Sequence, residues 1–210
     1  MIKDFYENKI LPPLINCCCS TKPIQFQRQK VVPNVSGRVL EIGIGSGLNI
    51  PLYNKNIVDQ IIAVEPCAEL SKKAAKVAVS ANIDITFLEG VAEKLEIADK
   101  SIDSILLTYT LCTIPDTDKA LSEMKRVLKP SGKIFFCEHG LAPDKNIKNW
   151  QNKLNPIWGA LFGGCNLNRN IPHLIKNAGF KFDAIEQMYL PSTPKFIGYN
   201  YWGSASLVNE

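Results

Sequence analysis

The chain has 210 residues, with 24 Lys and Arg against 20 Asp and Glu, for a formal net charge of +4. Hydrophobic residues make up 46% and charged residues 21%, an ordinary globular balance that excludes a disordered or fibrous chain. The length suits one domain, and Arg28, Arg38, Arg126 and Arg169 are its only arginines. A nucleic-acid face would therefore lack the residue that reads phosphate in bidentate fashion.

The seven cysteines exclude more than they assign. Cys17, Cys18 and Cys19 are consecutive, while Cys67, Cys112, Cys137 and Cys165 are scattered, and no C-x-x-C pair occurs. Zinc ribbons and thioredoxin-type motifs are excluded, and no metal is expected. No apolar signal-peptide core follows Met1-Ile2-Lys3-Asp4. Reduced thiols in a cytoplasmic chain are expected. No apolar run reaches the roughly 18 residues of a membrane span.

In chain order, residues 1–36 read as a helical extension. Phe5, Ile10, Leu14 and Ile15 suit an amphipathic helix broken at Pro12-Pro13, with Cys17–Cys19 as a small buried set at its end that leaves room for one exposed thiol. Arg38–Ile42 reads as a short buried strand ending at Gly43, and Gln60–Val64 as a second ending at Glu65-Pro66. Ala68–Ala81 is rich in helix formers. Ile83–Leu88 and Ile102–Leu107 read as strands. Asp118–Leu128 carries Ala120, Leu121, Met124 and Val127 at helical spacing, with Pro130 and Gly132 as stop signals before a strand at Lys133–Cys137. Residues 141–178 hold two helices, Asn146–Leu161 and Asn170–Ala178, and form an insertion placed to cap a cleft. Phe180–Met188 and Pro194–Ser206 complete the chain as an antiparallel strand pair. This alternation predicts one α/β domain with a doubly wound, mostly parallel sheet. Ligands in such sheets sit beyond the carboxyl ends of the strands.

That rule directs attention to Glu41-Ile-Gly43-Ile-Gly45-Ser-Gly47. Glycines admit positive φ and close approach of backbone to a ligand. A dinucleotide fingerprint needs a small residue five positions after Gly43, where Leu48 stands. No Gly-Lys-Ser/Thr follows, which excludes a P-loop. The observed spacing, with an acid two residues before the first glycine, resembles the pattern of S-adenosylmethionine-dependent methyltransferases. An acid there suits the ammonium of the ligand's methionine end. Glu65, at the end of the second strand, suits both ribose hydroxyls of a nucleoside. Gly90-Val91-Ala92 follow the third strand, where the adenine edge would lie.

Together these segments resemble the class I methyltransferase superfamily. Phe87–Asp103, ending in Ser101-x-Asp103, and Glu123-Met-Lys-Arg126-Val-Leu-Lys-Pro130-Ser-Gly132 resemble the family's adenine-side segment and its helix and turn before strand five. The segments Leu111-Cys112-Thr113-Ile114-Pro115-Asp116, Glu138-His139-Gly140, Trp150-Gln151 and Gly164-Cys165-Asn166-Leu167 resemble a narrower group of small bacterial enzymes. That group is related to the mammalian alkyl thiol S-methyltransferases. The resemblance implies a Rossmann-like, seven-stranded fold and S-adenosylmethionine as cofactor. The expected cofactor-binding set is Glu41, Gly43, Gly45, Gly47, Asn49, Glu65, Pro66, Gly90, Val91, Ala92, Thr108 and Leu111. The expected acceptor is small, apolar or thiol-bearing, with phospholipid N-methylation or a non-catalytic nucleoside-binding module as the alternatives and no nucleic acid.

Of the two histidines, His139 follows the fifth strand and is the candidate base. Tyr109, after the fourth strand, is the candidate for orienting the acceptor. Trp150, Trp158, Phe162 and Cys165 lie in the insertion, where an acceptor pocket is expected. Arg169 is a candidate for an anionic group or a salt bridge, and His173 receives no role.

Overall fold

The computed structural model describes residues 6–208. It contains one seven-stranded sheet, ordered β3-β2-β1-β4-β5-β7-β6. The strands are β1 (Gly37–Ile42), β2 (Val58–Glu65), β3 (Ile85–Glu89), β4 (Ile102–Thr108), β5 (Leu128–His139), β6 (Phe180–Tyr189) and β7 (Tyr199–Leu207). The first five pair in parallel, and β7 runs antiparallel between β5 and β6. This is the Rossmann-like α/β arrangement expected from the sequence, with its antiparallel final pair.

Alternation along the central strands explains the layers. On β4, Ile105 and Leu107 enter one core with Leu40, Ile62, Phe136 and the helix residues Leu121 and Met124. Leu106 turns to the other face, with Val39, Ile61, Ala74 and Ala78. Both faces of the strand are thus covered, as parallel sheets require. Each fully buried side chain of this size contributes roughly 1.5–3 kcal/mol.

The helices are α1 (Leu11–Cys19), α2 (Lys22–Val31), α3 (Ala68–Ala81), α4 (Thr117–Val127), α5 (Lys145–Leu161), α6 (Ile171–Asn177) and α7 (Lys195–Gly198). The expected break at Pro12-Pro13 is a change of helix type: a π-helical turn, Tyr6–Ile10, ends where α1 begins. The pair lies in the first turn of α1, where a missing N–H removes no intrahelical bond. Cys17 and Cys18 are exposed and Cys19 half-buried, so these thiols are not the buried packing set that their sequence suggests. The last strand starts at Tyr199 rather than Pro194, because Lys195–Gly198 makes a helical turn first. Among the described residues, no helix is long and apolar enough to cross a membrane.

Two of the matched motifs have structural duties. Glu123 accepts from Leu95 N at 2.8 Å, and Arg126 donates to the carbonyls of Leu95 and Ile97 at 2.9 and 2.8 Å. The pair therefore clamps the segment before β4 onto α4. Asp103 accepts from Arg38 N at 3.0 Å and from Lys129 at 2.7 Å, tying β4 to the start of β1 and to β5.

Sheet order places the functional residues. The chain moves outward from β1 to β3, then returns to lay β4 on the other side of β1. The loops after β1 and β4 diverge there, leaving a crevice at the carboxyl ends of the strands.

Candidate active site

The glycine loop begins as β1 ends. Gly43 N donates to Val64 O at 2.8 Å, and Gly45 N donates to Glu65 Oε2 at 2.9 Å. The three glycines are required for different reasons. All have positive φ. A Cβ on Gly43 would meet Thr110 Cγ2 at 2.7 Å, and one on Gly47 would meet Ile50 Cδ1 at 2.7 Å and Ala74 Cα at 3.1 Å. A Cβ on Gly45 meets nothing closer than Gly43 O at 4.0 Å. Gly45 alone of the three faces open space. Glu65 is buried, which raises its pKa against the opposing N–H groups of Cys67 and Gly45.

Beneath the loop lies a buried polar network. Asn49 Nδ2 donates to Glu41 Oε1 at 2.7 Å and to Thr108 Oγ1 at 2.8 Å. Tyr53 donates to the other Glu41 oxygen at 2.6 Å. Arg28, from α2, donates to Asn49 Oδ1 at 2.8 Å and to Thr108 Oγ1 at 2.6 Å, and its guanidinium stands 5.2 Å from the Tyr109 ring centroid. Burial raises the pKa of Glu41, while the bonds from Tyr53 and Asn49 and the charge of Arg28 oppose the rise. Sequence reasoning missed Arg28. Its rarity, as one of four arginines in the chain, was the available signal.

Two spaces meet at this point. The smaller, about 80 Å³, is bounded by Gly43, Gly45, Leu48, Leu70, Thr108 and Tyr109, with α1 over it through Pro12, Ile15 and Asn16. Ser46 Oγ hydrogen-bonds Asn16 Oδ1, which ties α1 to the loop. The larger, about 410 Å³, is walled by apolar groups from α1, α5 and α7, among them Ile15, Trp158, Phe162 and Ile197. Tyr109, Cys19 and Ile15 belong to both.

Tyr109 holds this position through an unusual backbone. Its φ is +57°, in the left-handed region that a bulky residue rarely occupies. Such conformations persist only where surrounding structure over-determines them. Tyr109 N donates to Cys137 O at 2.9 Å, and the next two amides donate to Glu138 Oε1 at 2.8 and 3.1 Å. Glu138 thus holds the turn after β4 rather than facing the cavity beside its neighbour. Burial raises its pKa to about 7, against those two N–H groups.

His139 lines the larger cavity, stacked 6.5 Å from Tyr109 at 17°. Its Nε2 lies 3.2 Å from Cys165 Sγ. Cys112 completes a cluster whose three ligand atoms all lie within 4.8 Å of one another. The Cys112 hydrogen bond and the charge of His139 hold the Cys165 thiol below its ordinary range, despite burial. That hydrogen bond and burial push Cys112 up. Burial opposes the imidazolium of His139, but Cys165 and Glu138 outweigh it and raise its pKa.

The expected residues divide accordingly. Gly43, Gly45, Thr108 and Tyr109 line the loop space, and Tyr109 and His139 line the larger cavity. Glu65 bonds to the loop, whereas Glu41 and Asn49 lie beneath it as its support. Gly47 packs against α3. Leu111 is fully buried with its amide on Glu138. Pro66 is exposed at the β2 end. Gly90, Val91 and Ala92 form the turn after β3, with Ala92 buried and Val91 exposed. Trp158, Phe162 and Cys165 line the larger cavity, while Trp150 is solvent-exposed. Arg169 donates to Leu111 O, a loop-holding contact, and His173 is exposed on α6.

A methyltransferase domain family matches residues 40–136. Thiol S-methyltransferase TMT1B of Rattus norvegicus is 30% identical over 190 residues, covering 85% of this chain and 77% of the relative. Thiol S-methyltransferase TMT1A of Homo sapiens is 28% identical over 193 residues, covering 89% and 78%. A solved structure of an S-adenosylmethionine-dependent methyltransferase from Thermotoga maritima, described as a possible histamine N-methyltransferase, superposes with a TM-score of 0.64 at 21% identity, covering 88% of this chain and 89% of that one.

Proposed function

Because the chain belongs to the class I S-adenosylmethionine-dependent methyltransferases, we propose that it methylates a small apolar thiol. The observation that carries the proposal is the 410 Å³ apolar cavity that meets the glycine loop at Tyr109. Its polar side chains include His139, Cys112, Cys165 and Asn200. An acceptor's alkyl or aryl body fits the apolar walls, and its reactive atom belongs at the Tyr109 end. The thiol chemistry named for the mammalian relatives supports sulfur as that atom.

The residues present fit S-adenosylmethionine. Gly45 faces open space that a Cβ would fill, and Glu65 stands beside it at the end of β2. Glu65 would take the ribose hydroxyls in exchange for its bond to Gly45 N, and the loop would lie against the methionine part. The group supplies an electrophilic methyl on a sulfonium sulfur. A space of about 80 Å³ is small beside the roughly 300–1000 Å³ of ordinary ligand pockets. A bound cofactor therefore needs more room than the space between α1 and the loop gives here. Tyr109 walls the shared end and orients the acceptor, whose placement within roughly 3–3.5 Å of its target provides much of the rate. The apolar walls exclude water from that end.

The test is a panel of acceptors with labelled S-adenosylmethionine: phenylmethanethiol, an aliphatic thiol, their alcohol and amine analogues, and phosphatidylethanolamine vesicles. S-methyl products should dominate. Preferential methylation of the amines or the lipid would overturn the proposal, as would a lack of turnover with every thiol.

A further inference from the structure

We infer that Cys112, His139 and Cys165 form a binding site for a divalent zinc-class metal at the floor of the acceptor cavity. The three come from separate segments: the turn after β4, the end of β5 and the loop after α5. Their ligand atoms nevertheless converge within 4.8 Å, with His139 Nε2 and Cys165 Sγ 3.2 Å apart. Ligands at ~2.0–2.3 Å from one tetrahedral ion lie roughly 3.5–3.8 Å from each other, so small side-chain shifts suffice. Two sulfurs and an imidazole are a soft donor set, which zinc accepts and magnesium or calcium does not.

The cluster is held by its backbone. Asn166 donates to Cys112 O through its amide at 2.8 Å and through Nδ2 at 3.0 Å, locking the Cys165 loop to the Cys112 turn. Asn155 Oδ1 accepts from Leu167 N at 2.8 Å and fastens the same loop to α5. Gly140 sits where a Cβ would meet Arg169 O at 2.5 Å, so the strand end carrying His139 packs directly on this loop. Such support brings ligands to a metal without large reorganisation.

All three residues line the cavity. A metal bound by them has three protein ligands and a fourth position toward the acceptor space, the pattern of catalytic rather than structural zinc. Resting on the thiol reading above, the fourth ligand is the acceptor sulfur. On binding, the acceptor's S–H bond breaks, its proton leaves to solvent, and the sulfur lone pair forms the metal–sulfur bond. Cys112 and Cys165 bind as thiolates, releasing their own protons. His139 then serves as a ligand through Nε2 rather than as a free base.

The experiment uses the full chain purified after expression with added Zn²⁺, then stripped and reloaded with Zn²⁺ or Co²⁺. Elemental analysis should find about one zinc per chain. The cobalt form should show intense tetrahedral d–d bands and thiolate-to-cobalt charge transfer. Cys112→Ser, Cys165→Ser and His139→Ala should each weaken metal binding at least tenfold with unchanged circular dichroism. Cys17→Ser and Cys67→Ser should leave the stoichiometry intact. If a variant unfolds, titration of the stripped wild-type chain with Co²⁺ still decides the matter. Absence of the charge-transfer bands there would overturn the site, as would stoichiometry indifferent to Cys165→Ser. Phenylmethanethiol should shift the charge-transfer band, and benzyl alcohol should not. An unshifted band would remove the acceptor from the fourth position. Thiol methylation by the stripped chain at full rate would reject the metal's role while sparing the proposed function. A metal-loaded chain that methylates no thiol would do the reverse.

Discussion

The Tyr109 hydroxyl donates to the Asn200 carboxamide oxygen at 2.6 Å, crossing β5 from the end of β4 to β7. Asn200 is the register partner of His139. The antiparallel half of the sheet thereby positions the residue that walls the acceptor space. Tyr109→Phe keeps the ring and strands the Asn200 oxygen, at a stability cost of about 1–3 kcal/mol. Melting should detect that loss. The turnover number with phenylmethanethiol should fall about tenfold, corresponding to ~1.4 kcal/mol of lost orientation. Calorimetry with S-adenosylhomocysteine should show unchanged affinity. An unaltered turnover number would remove Tyr109 from acceptor positioning.

Arg28 is the charge that α2 contributes to the buried network under the glycine loop. Arg28→Met leaves Glu41 buried without a nearby cation and deprives Asn49 and Thr108 of a donor. Leaving such buried groups without their partner costs about 1–3 kcal/mol. Urea denaturation should show that loss in the transition midpoint. Arg28→Lys should recover part of the loss, since both bonds leave the single nitrogen Nη1 and an ammonium likewise offers several donors from one nitrogen. A stability within error of wild type would mean that the network contributes nothing to the fold.

The glycine loop separates binding from folding. Gly45→Ala places a methyl in open space at φ +57°, costing about 1–2 kcal/mol of backbone strain. Its effect should fall mainly on cofactor affinity, weakened at least tenfold. Gly43→Val and Gly47→Ala drive a side chain into Thr110 or Ala74, so the protein itself should lose stability. Paired calorimetry and melting should show these opposite profiles. Equal affinity in Gly45→Ala would relocate the cofactor away from the loop.

Acid stability should depend on Glu123. Its hydrogen bond from Arg126 lowers its folded pKa to about 2, from an ordinary 4.5. A depressed carboxylate stabilises the fold above its unfolded pKa, and this contribution fades as pH falls through 4.5 toward 2. Glu123→Gln should be less stable than wild type at neutral pH, and the two denaturation midpoints should converge across that window. Parallel curves from pH 7 down to pH 2 would dissociate the clamp from acid unfolding.

The local sequence alone determined the sheet order class, the glycine loop and the acid at the end of β2. These features are set within a few residues of each other: apolar runs must be buried, and positive φ at a strand–helix turn demands glycine. It also marked Tyr109 and His139, because they follow strands in a fold whose ligands gather at strand ends. Tertiary structure decided what lies between such segments. Glu41 reads as a ligand contact beside Gly43, yet strand alternation turns it under the loop, where Asn49 and Tyr53 occupy both its oxygens. Arg28 reaches that network only because α2 folds back over the sheet. Cys112, His139 and Cys165 show no ligand spacing in the chain, and they meet only when the turn after β4, the end of β5 and the loop after α5 pack together. Motifs carried by one turn are written in neighbouring residues, whereas a site assembled from three segments exists only once long-range packing has fixed their distances.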